Sequence, residues 1–266
     1  VNIIVCIKQI IDPEMPPAKF KVDSAARKVV APEGMPLVIS PFDEQAVEAA
    51  LRIKDSQECK ITAITMGQGS AAEALKHVLS MGADEGVLLS DAAFEGSDAF
   101  STAYVLSKAI EKIGEYDLVL CGRQAADWDA GQVGSVLAEY LGVPVVTLAR
   151  KVDATDGNLV VEKVIPDGYE VIEVRMPAVV TVSSEIGQSR LPSGRGIIMA
   201  ARKQIPVWSA QDIGCDSTRV GAGGARSELQ DLFIPSQSRK GEVIVGENAS
   251  EAAGNLAARL REEKAI

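Results

Sequence analysis

The sequence predicts an α/β fold: a parallel sheet flanked by helices, continued by an antiparallel β extension and closed by a C-terminal arm helix. Two patterns carry this. Up to about residue 150, short β-branched runs alternate with amphipathic stretches of about 10–15 residues, the signature of βαβ units. Beyond 150 the apolar period shifts to two, which marks antiparallel strands. The chain has 266 residues, 47% hydrophobic and 24% charged. That makes one large domain or two small ones, with no need of a disulfide or metal staple.

Asn2–Lys8 is short, continuous and β-branched, as a strand buried on both faces should be. Residues 13–36 are proline-rich and predict a long excursion with a small hairpin around Lys19–Val22. Ser40-Pro-Phe-Asp43 opens a helix to about Lys54, with Pro41 in its first turn, Asp43 and Glu44 on its dipole, and Ala46, Val47, Ala50, Leu51 and Ile53 as its apolar stripe. Lys60–Met66 is the next strand, followed by a Gly67–Ser70 turn and a helix over 71–80. Val87–Leu89 is a third strand, and 97–113 a helix capped by Ser97 or Asp98. Asp117–Cys121 is a fourth strand, Gly122–Asp129 a loop, Gln132–Leu141 a helix and Val143–Thr147 a fifth strand.

Lys151–Val152, Asn158–Ile165 and Glu170–Arg175 alternate, with Asp156-Gly157 and Asp167-Gly168 as turns, so a meander is expected. Pro177–Val182 is another buried strand, and a helix begins near Gly196. Residues 214–226 are Gly-rich and predict a flexible linker, and 232–245 an extended stretch. Asn248–Lys264 is a closing helix with Ala252, Ala253, Leu256, Ala257 and Leu260 on one face. Such a helix either docks on its own domain or is worn on a partner. The expected division is 1–213 as the α/β domain, 214–226 as linker and 227–266 as arm.

Composition narrows function. A net charge of −10 and 4% aromatics argue against nucleic-acid binding. No C-x-x-C joins the cysteines at 6, 59, 121 and 215, so no metal site is expected, and reduced, buried thiols point to a cytoplasmic protein. No stretch approaches 18 apolar residues and no secretory leader pattern opens the chain, so no membrane insertion is expected. The one histidine, His77, lies mid-helix, which removes most Ser-His-Asp, Cys-His and His-metal chemistries and leaves no catalytic residue to name.

The candidate ligand site is at the C-terminal strand ends, where Cys6–Gln9, Met66–Ser70 and Cys121–Gly134 should converge. The last segment follows a strand and precedes a helix, whose first N–H groups can hold a phosphate. Arg123 can pair with that phosphate, Gln124, Asp127 and Gln132 can reach ribose or adenine edges, and the glycines let a ligand approach the backbone. An ordinary polar β–α loop is the alternative. G-x-G-x-x-G after the first strand and G-x-x-x-x-G-K-[ST] are both missing, which disfavours a dinucleotide fingerprint or a P-loop.

The ordered set Val5–Asp12, Ser40-Pro-Phe-Asp-Glu44, Met81–Asp84, Gly122–Asp129 with Gln132-x-Gly134, and Glu170-x-Ile172 before Pro177–Thr181 resembles the β subunit of electron transfer flavoprotein, with its FixA-like members. The resemblance implies a Rossmann-like, adenine nucleotide alpha hydrolase-like domain in a heterodimer. The α subunit would hold a redox-active FAD, and this chain an adenine nucleotide: AMP in ordinary members, a second FAD in electron-bifurcating ones. By similarity the nucleotide contacts Cys6, Ser40, Phe42, Asp43, Met66, Gly122, Arg123, Gln124, Ala125, Asp127, Asp129, Gly131, Gln132, Val133 and Gly134. Ala130-Gly131 and Gln132-Val-Gly134 lean toward the FAD-binding group, while Trp128 departs from both. A bifurcating member takes a hydride from NADH and sends one electron to a ferredoxin or flavodoxin, the other to an FAD-dependent dehydrogenase.

The sequence departs from the family at Ser40, where Asn is usual, and at Pro166, where an acidic residue is expected. The partner-recognition loop aligns with Gln188–Ile198. Gly194 takes the place of the leucine that anchors on an acyl-CoA dehydrogenase, with Leu191 as a substitute, and Arg190, Arg195 and Ile197 complete the expected partner-binding set. Arg190, Arg195, Arg202 and Lys203 form a basic patch able to steer an acidic partner. The alternative function is a non-redox, universal-stress-like adenine-nucleotide-binding protein.

Overall fold

The structure, a computed structural model, describes residues 1–155, 157–235 and 241–266. Asp156 of the expected 156–157 turn, and 236–240 of the expected extended stretch, lie outside the described residues. In chain order the elements begin with β1 (Asn2–Ile7), β2 (Gln9–Ile11), β3 (Lys21–Asp23), β4 (Lys28–Val30), β5 (Leu37–Ile39) and α1 (Pro41–Ser56). The βα alternation follows in β6 (Lys60–Met66), α2 (Ala72–Met81), β7 (Glu85–Leu89), α3 (Ala99–Ile113), β8 (Leu118–Gly122) and α4 (Val133–Leu141). Then come β9 (Val145–Thr155), β10 (Asn158–Ile165), β11 (Gly168–Arg175), β12 (Ala178–Val182), α5 (Gly194–Arg202), β13 (Val207–Trp208), α6 (Gly221–Gly224) and α7 (Ala249–Glu262).

One nine-stranded sheet runs in the order β11-β10-β9-β12-β8-β1-β6-β7-β13. The period-two side-chain rule explains its two-sided core. On β1, Ile3, Val5 and Ile7 pack with α1 and α2, while Ile4 and Cys6 pack with α3 and α4. On β8, Leu118 and Leu120 face the first layer, and Val119 and Cys121 the second. Each fully buried aliphatic side chain contributes about 1.5–3 kcal/mol, so the alternation holds both helix layers to one sheet.

The meander does not form a separate sheet. β9 pairs parallel with β12 through residues 145–149 and antiparallel with β10 through 149–155. At the change of partner Leu148 takes a φ of 60°, a bulge that local apolar spacing does not announce. β13 adds an edge strand beside β7, and β2 pairs antiparallel with β5. Those three short strands were not expected; the β3–β4 hairpin was, its first strand starting two residues after Lys19.

The Gly-rich stretch 214–226 is not the free linker its composition implies. Ile213 and Val220 are buried, the Arg219 guanidinium lies 4.0 Å from the Tyr104 ring centroid, and Arg226 lies 4.7 Å from that of Phe100. Beyond it, α7 buries no residue; its polar contacts include Asn255 Nδ2 to the Val245 carbonyl at 2.9 Å.

Candidate functional site

From β1 the chain moves outward through β6 to β7, then returns to the other side of β1 as β8. The crevice beyond the C-terminal ends of β1 and β8 is therefore the topological switch point, where open α/β sheets take ligands. Asp43, in the first turn of α1, closes the floor of this crevice. Its carboxylate accepts from the Lys8 amide at 2.9 Å and the Gly122 amide at 3.1 Å, so it ties both strand ends to one helix. Burial pushes the Asp43 carboxyl up to about 7, against the pull of those two amides and of the Lys8 charge.

Ser40 precedes α1 but makes no side-chain cap there. It is fully buried, donates its amide to the Lys8 carbonyl at 2.9 Å, and its Oγ accepts from the Ala126 amide at 3.4 Å. Phe42 lies under the Arg123 guanidinium at 5.0 Å. Arg123 donates its amide to the Val182 carbonyl at 2.8 Å, and its buried Nε has no hydrogen-bond partner among the described residues.

The loop is braced internally. Gln124 Nε2 donates to Asp129 at 2.7 Å, and the Ala125 carbonyl accepts from the Asp129 amide at 2.9 Å. Asp129 and Gly131 both take positive φ, 50° and 62°, so the loop turns sharply before α4. Gln132 gives α4 no side-chain cap. Trp128 is 51% exposed beside this turn.

Two of the glycines expected at the site also serve packing. A Cβ on Gly122 would lie 2.7 Å from the Phe42 carbonyl carbon, and one on Gly134 would lie 2.5 Å from Thr181 Cγ2. Gly122 lets α1 reach the sheet, and Gly134 lets α4 reach β12. Val133 packs beside it against the α3–α4 core. Met66 ends β6 half-buried, and Cys6 sits opposite Cys121 on the neighbouring strand. Hydrogen bonding with Cys121 and burial hold the Cys6 thiol well above its ordinary value, which makes it a protonated core thiol.

Lys8 was missed. Its Nζ bonds both oxygens of Asp127, at 2.9 and 2.7 Å, bridging the end of β1 to the loop after β8. Its place directly after the first strand was the available signal. Gln9 Nε2 likewise holds the Ser70 carbonyl at 2.9 Å, joining the Gly67–Ser70 turn to the same rim. His77 is paired with Glu44 at 2.7 Å on the helix surface. A separate cavity of about 730 Å³ lies between α1 and β9, away from the switch; Arg52, Arg150 and Lys151 in its wall are each paired with a carboxylate.

Of the expected partner-binding residues, Leu191, Gly194, Arg195 and Ile197 are exposed. Arg190 is not a free cation: Glu48 and Asp55 hold its guanidinium, while Arg195, Arg202 and Lys203 have no carboxylate partner among the described residues, Lys203 donating instead to the Asp84 backbone carbonyl. No helix of the described residues is long and apolar enough to cross a membrane.

Fold and site together define an open α/β protein whose candidate ligand position is the β1/β8 switch, rimmed by the loops after β1, β6 and β8. The electron transfer flavoprotein domain model matches residues 28–213. The chain is 41% identical over 266 residues, 100% of both chains, to the electron transfer flavoprotein subunit beta of Thermoanaerobacterium thermosaccharolyticum. It is 38% identical, again over 100% of both chains, to the caffeyl-CoA reductase-Etf complex subunit CarD of Acetobacterium woodii. It is 33% identical, over 92% of each chain, to the acryloyl-CoA reductase electron transfer subunit gamma of Anaerotignum propionicum. The chain belongs to the electron transfer flavoprotein family.

Proposed function

We propose that the chain is the β-type subunit of a heterodimeric electron transfer flavoprotein, paired with an FAD-bearing α subunit and passing electrons to or from an FAD-dependent dehydrogenase. The observation that carries the reading is the switch-point rim, where loops from three strand ends and the first turn of α1 converge. It fits an anionic nucleotide: Arg123 keeps a buried donor without a partner, and α4 starts uncapped behind a sharp turn. Arg123 and the first amides of α4 hold the phosphates, and Gln124, Asp127 and Gln132 orient ribose and base. Asp43 and Ser40 fix the loop from below.

The nucleotide is FAD, with AMP as the simpler occupant. A flavin supplies the electron chemistry; this chain binds and orients it. The small Ala130-Gly131 pair before Gln132 supports FAD, and the relative named for a caffeyl-CoA reductase-Etf complex supports a CoA-thioester reductase as the redox partner. NADH is the donor, with a ferredoxin or flavodoxin as second acceptor, in a cytoplasmic complex. The non-redox alternative is not favoured.

The test is the nucleotide content of the chain co-purified with its α subunit, released by denaturation and separated by chromatography. Two FAD per heterodimer is the expected result and makes NADH the first donor to assay. One FAD and one AMP would reduce the protein to a single-flavin shuttle. Neither nucleotide in the pure heterodimer would overturn the reading.

A further inference from the structure

Between Ile186 and Lys203 the chain is fastened to its own domain at successive points. Arg52 on α1 donates from Nη1 to the Ile186 carbonyl at 2.8 Å. Four residues later Glu48 accepts from the Arg190 amide at 3.1 Å, from its Nε at 2.8 Å and from Nη2 at 3.2 Å. Asp55 accepts from Nη1 at 3.2 Å and Nη2 at 2.7 Å. Glu48 and Asp55 stand two turns apart on α1 and present one face, so they cradle a single planar guanidinium. Glu48 is only 5% exposed and also accepts from Arg52 Nε at 2.9 Å. Downstream, Ser193 Oγ caps α5 through the Gly196 amide at 3.0 Å, and Gly196 sits so close to the Ser80 carbonyl that a side chain has no room.

What this fastened segment leaves uncovered is apolar. Leu191, directly after the clamp, is 89% exposed, and Ile197, Ile198 and Met199 are each more than half exposed. Arg190 itself has most of its guanidinium donors committed to carboxylates and has little left to offer a partner.

We infer that the Glu48–Arg190–Asp55 clamp is a positioning device that presents Leu191, with Ile197–Met199 of α5, as a pre-ordered apolar edge for docking an FAD-dependent dehydrogenase that acts on CoA thioesters. The inference rests on the dehydrogenase reading above and adds the residues that set the docking geometry. Ordering a loop and its side chains on binding costs about 0.5–1.5 kcal/mol per immobilised side chain, and a loop already held by a buried carboxylate avoids that cost. Exposed Arg195 and Arg202 flank the edge with positive charge, which suits an apolar socket with an acidic rim. Two relatives carry CoA-thioester reductases in their names, which is the partner chemistry taken here.

The experiment uses the intact heterodimer and, as probe, an FAD-dependent acyl-CoA dehydrogenase, measuring KM for the heterodimer and kcat separately. Leu191→Ala tests docking itself and should raise KM. Arg190→Ala and Glu48→Gln should raise KM about tenfold with kcat and flavin content unchanged, the factor expected from re-ordering one or two side chains. Arg190→Lys, which keeps the charge but not the fork, should restore only part of the loss. The Arg190→Ala/Leu191→Ala double variant should fall short of the product of the two single effects, because the clamp acts in part through Leu191. Amide exchange over 187–193 should speed up in Glu48→Gln with no partner present. If Leu191→Ala raises KM but the clamp variants do not, docking stands and the clamp falls. If Leu191→Ala leaves KM unchanged, the docking reading fails and takes the clamp with it.

Discussion

Asp43 shows how one side chain links fold and site. It is the shared acceptor for the amides that end β1 and β8. Asp43→Ala leaves both donors buried and unpaired, at about 1–3 kcal/mol each, so urea unfolding should show a loss of about 2–6 kcal/mol. Its titration has a definite sign. With the folded pKa raised from 3.8 to about 7, the folded state binds the proton more tightly than the unfolded chain. The stability this group contributes is full below about pH 4 and is lost as pH rises through 7. The Asp43 carboxyl 13C resonance should therefore move with a midpoint near pH 7; a midpoint near 4 would mean that the two amides and Lys8 outweigh burial. The position of Asp43 in the helix start was legible from Ser40-Pro-Phe-Asp43. Its partners were not, because Lys8 and Gly122 lie 35 and 79 residues away. The Lys8–Asp127 pair spans 119 residues and stayed hidden for the same reason.

At the scale of elements, Asp98 joins a helix to a segment. One oxygen accepts from the Phe100 and Ser101 amides at 2.9 and 3.0 Å, completing a capping box on α3. The other accepts from the Arg226 and Ser227 amides at 2.7 and 3.0 Å. Partial burial works against its ionisation, but these amides win and bring the carboxyl down to about 2. The stability it supplies is therefore present above about pH 4 and lost as pH falls through 2. Asp98→Ala should cost about 1–2 kcal/mol as a lost cap, and amide exchange should rise across 214–227 as well as in the first turn of α3. Exchange confined to α3 would show that the arginine stacks alone hold the segment. The cap was legible because Ser, Asp and a following apolar stripe are local signals. The docking of 214–226 was not, since its anchors are Tyr104, Tyr140 and Phe100 on other elements. β9 was broken in two by the same limit: the Leu148 bulge follows from exchanging β12 for β10, a tertiary event.

At the scale of the molecule, the parallel core is self-sufficient and the C-terminal 40 or so residues are not. The βα alternation made the core legible, because strands buried on both faces are continuous in apolar character. The arm's helix was legible too, but whether it docks on its own domain was left open by its pattern. α7 buries nothing, and Val243 and Val245, which run beside it, are 85% and 74% exposed. A helix with Leu256, Leu260 and five alanines along it, left in water, gains stability only by covering an apolar surface elsewhere. In the heterodimer proposed here that surface belongs to the α subunit. Leu256→Glu places a charge in the middle of the helix without touching the sheet. The thermal midpoint of the isolated chain should stay within a degree or two, because surface changes away from packed features are usually within about 0.5 kcal/mol. The heterodimer should weaken by about ten- to a hundredfold, the range set by losing one buried leucine at about 1.5–3 kcal/mol. Thermal unfolding of the isolated chain reads the first quantity, and sedimentation of the two subunits at decreasing concentration reads the second. Unchanged association would mean that α7 serves neither its own domain nor the α subunit, and the arm would then have to be assigned to a contact beyond the heterodimer.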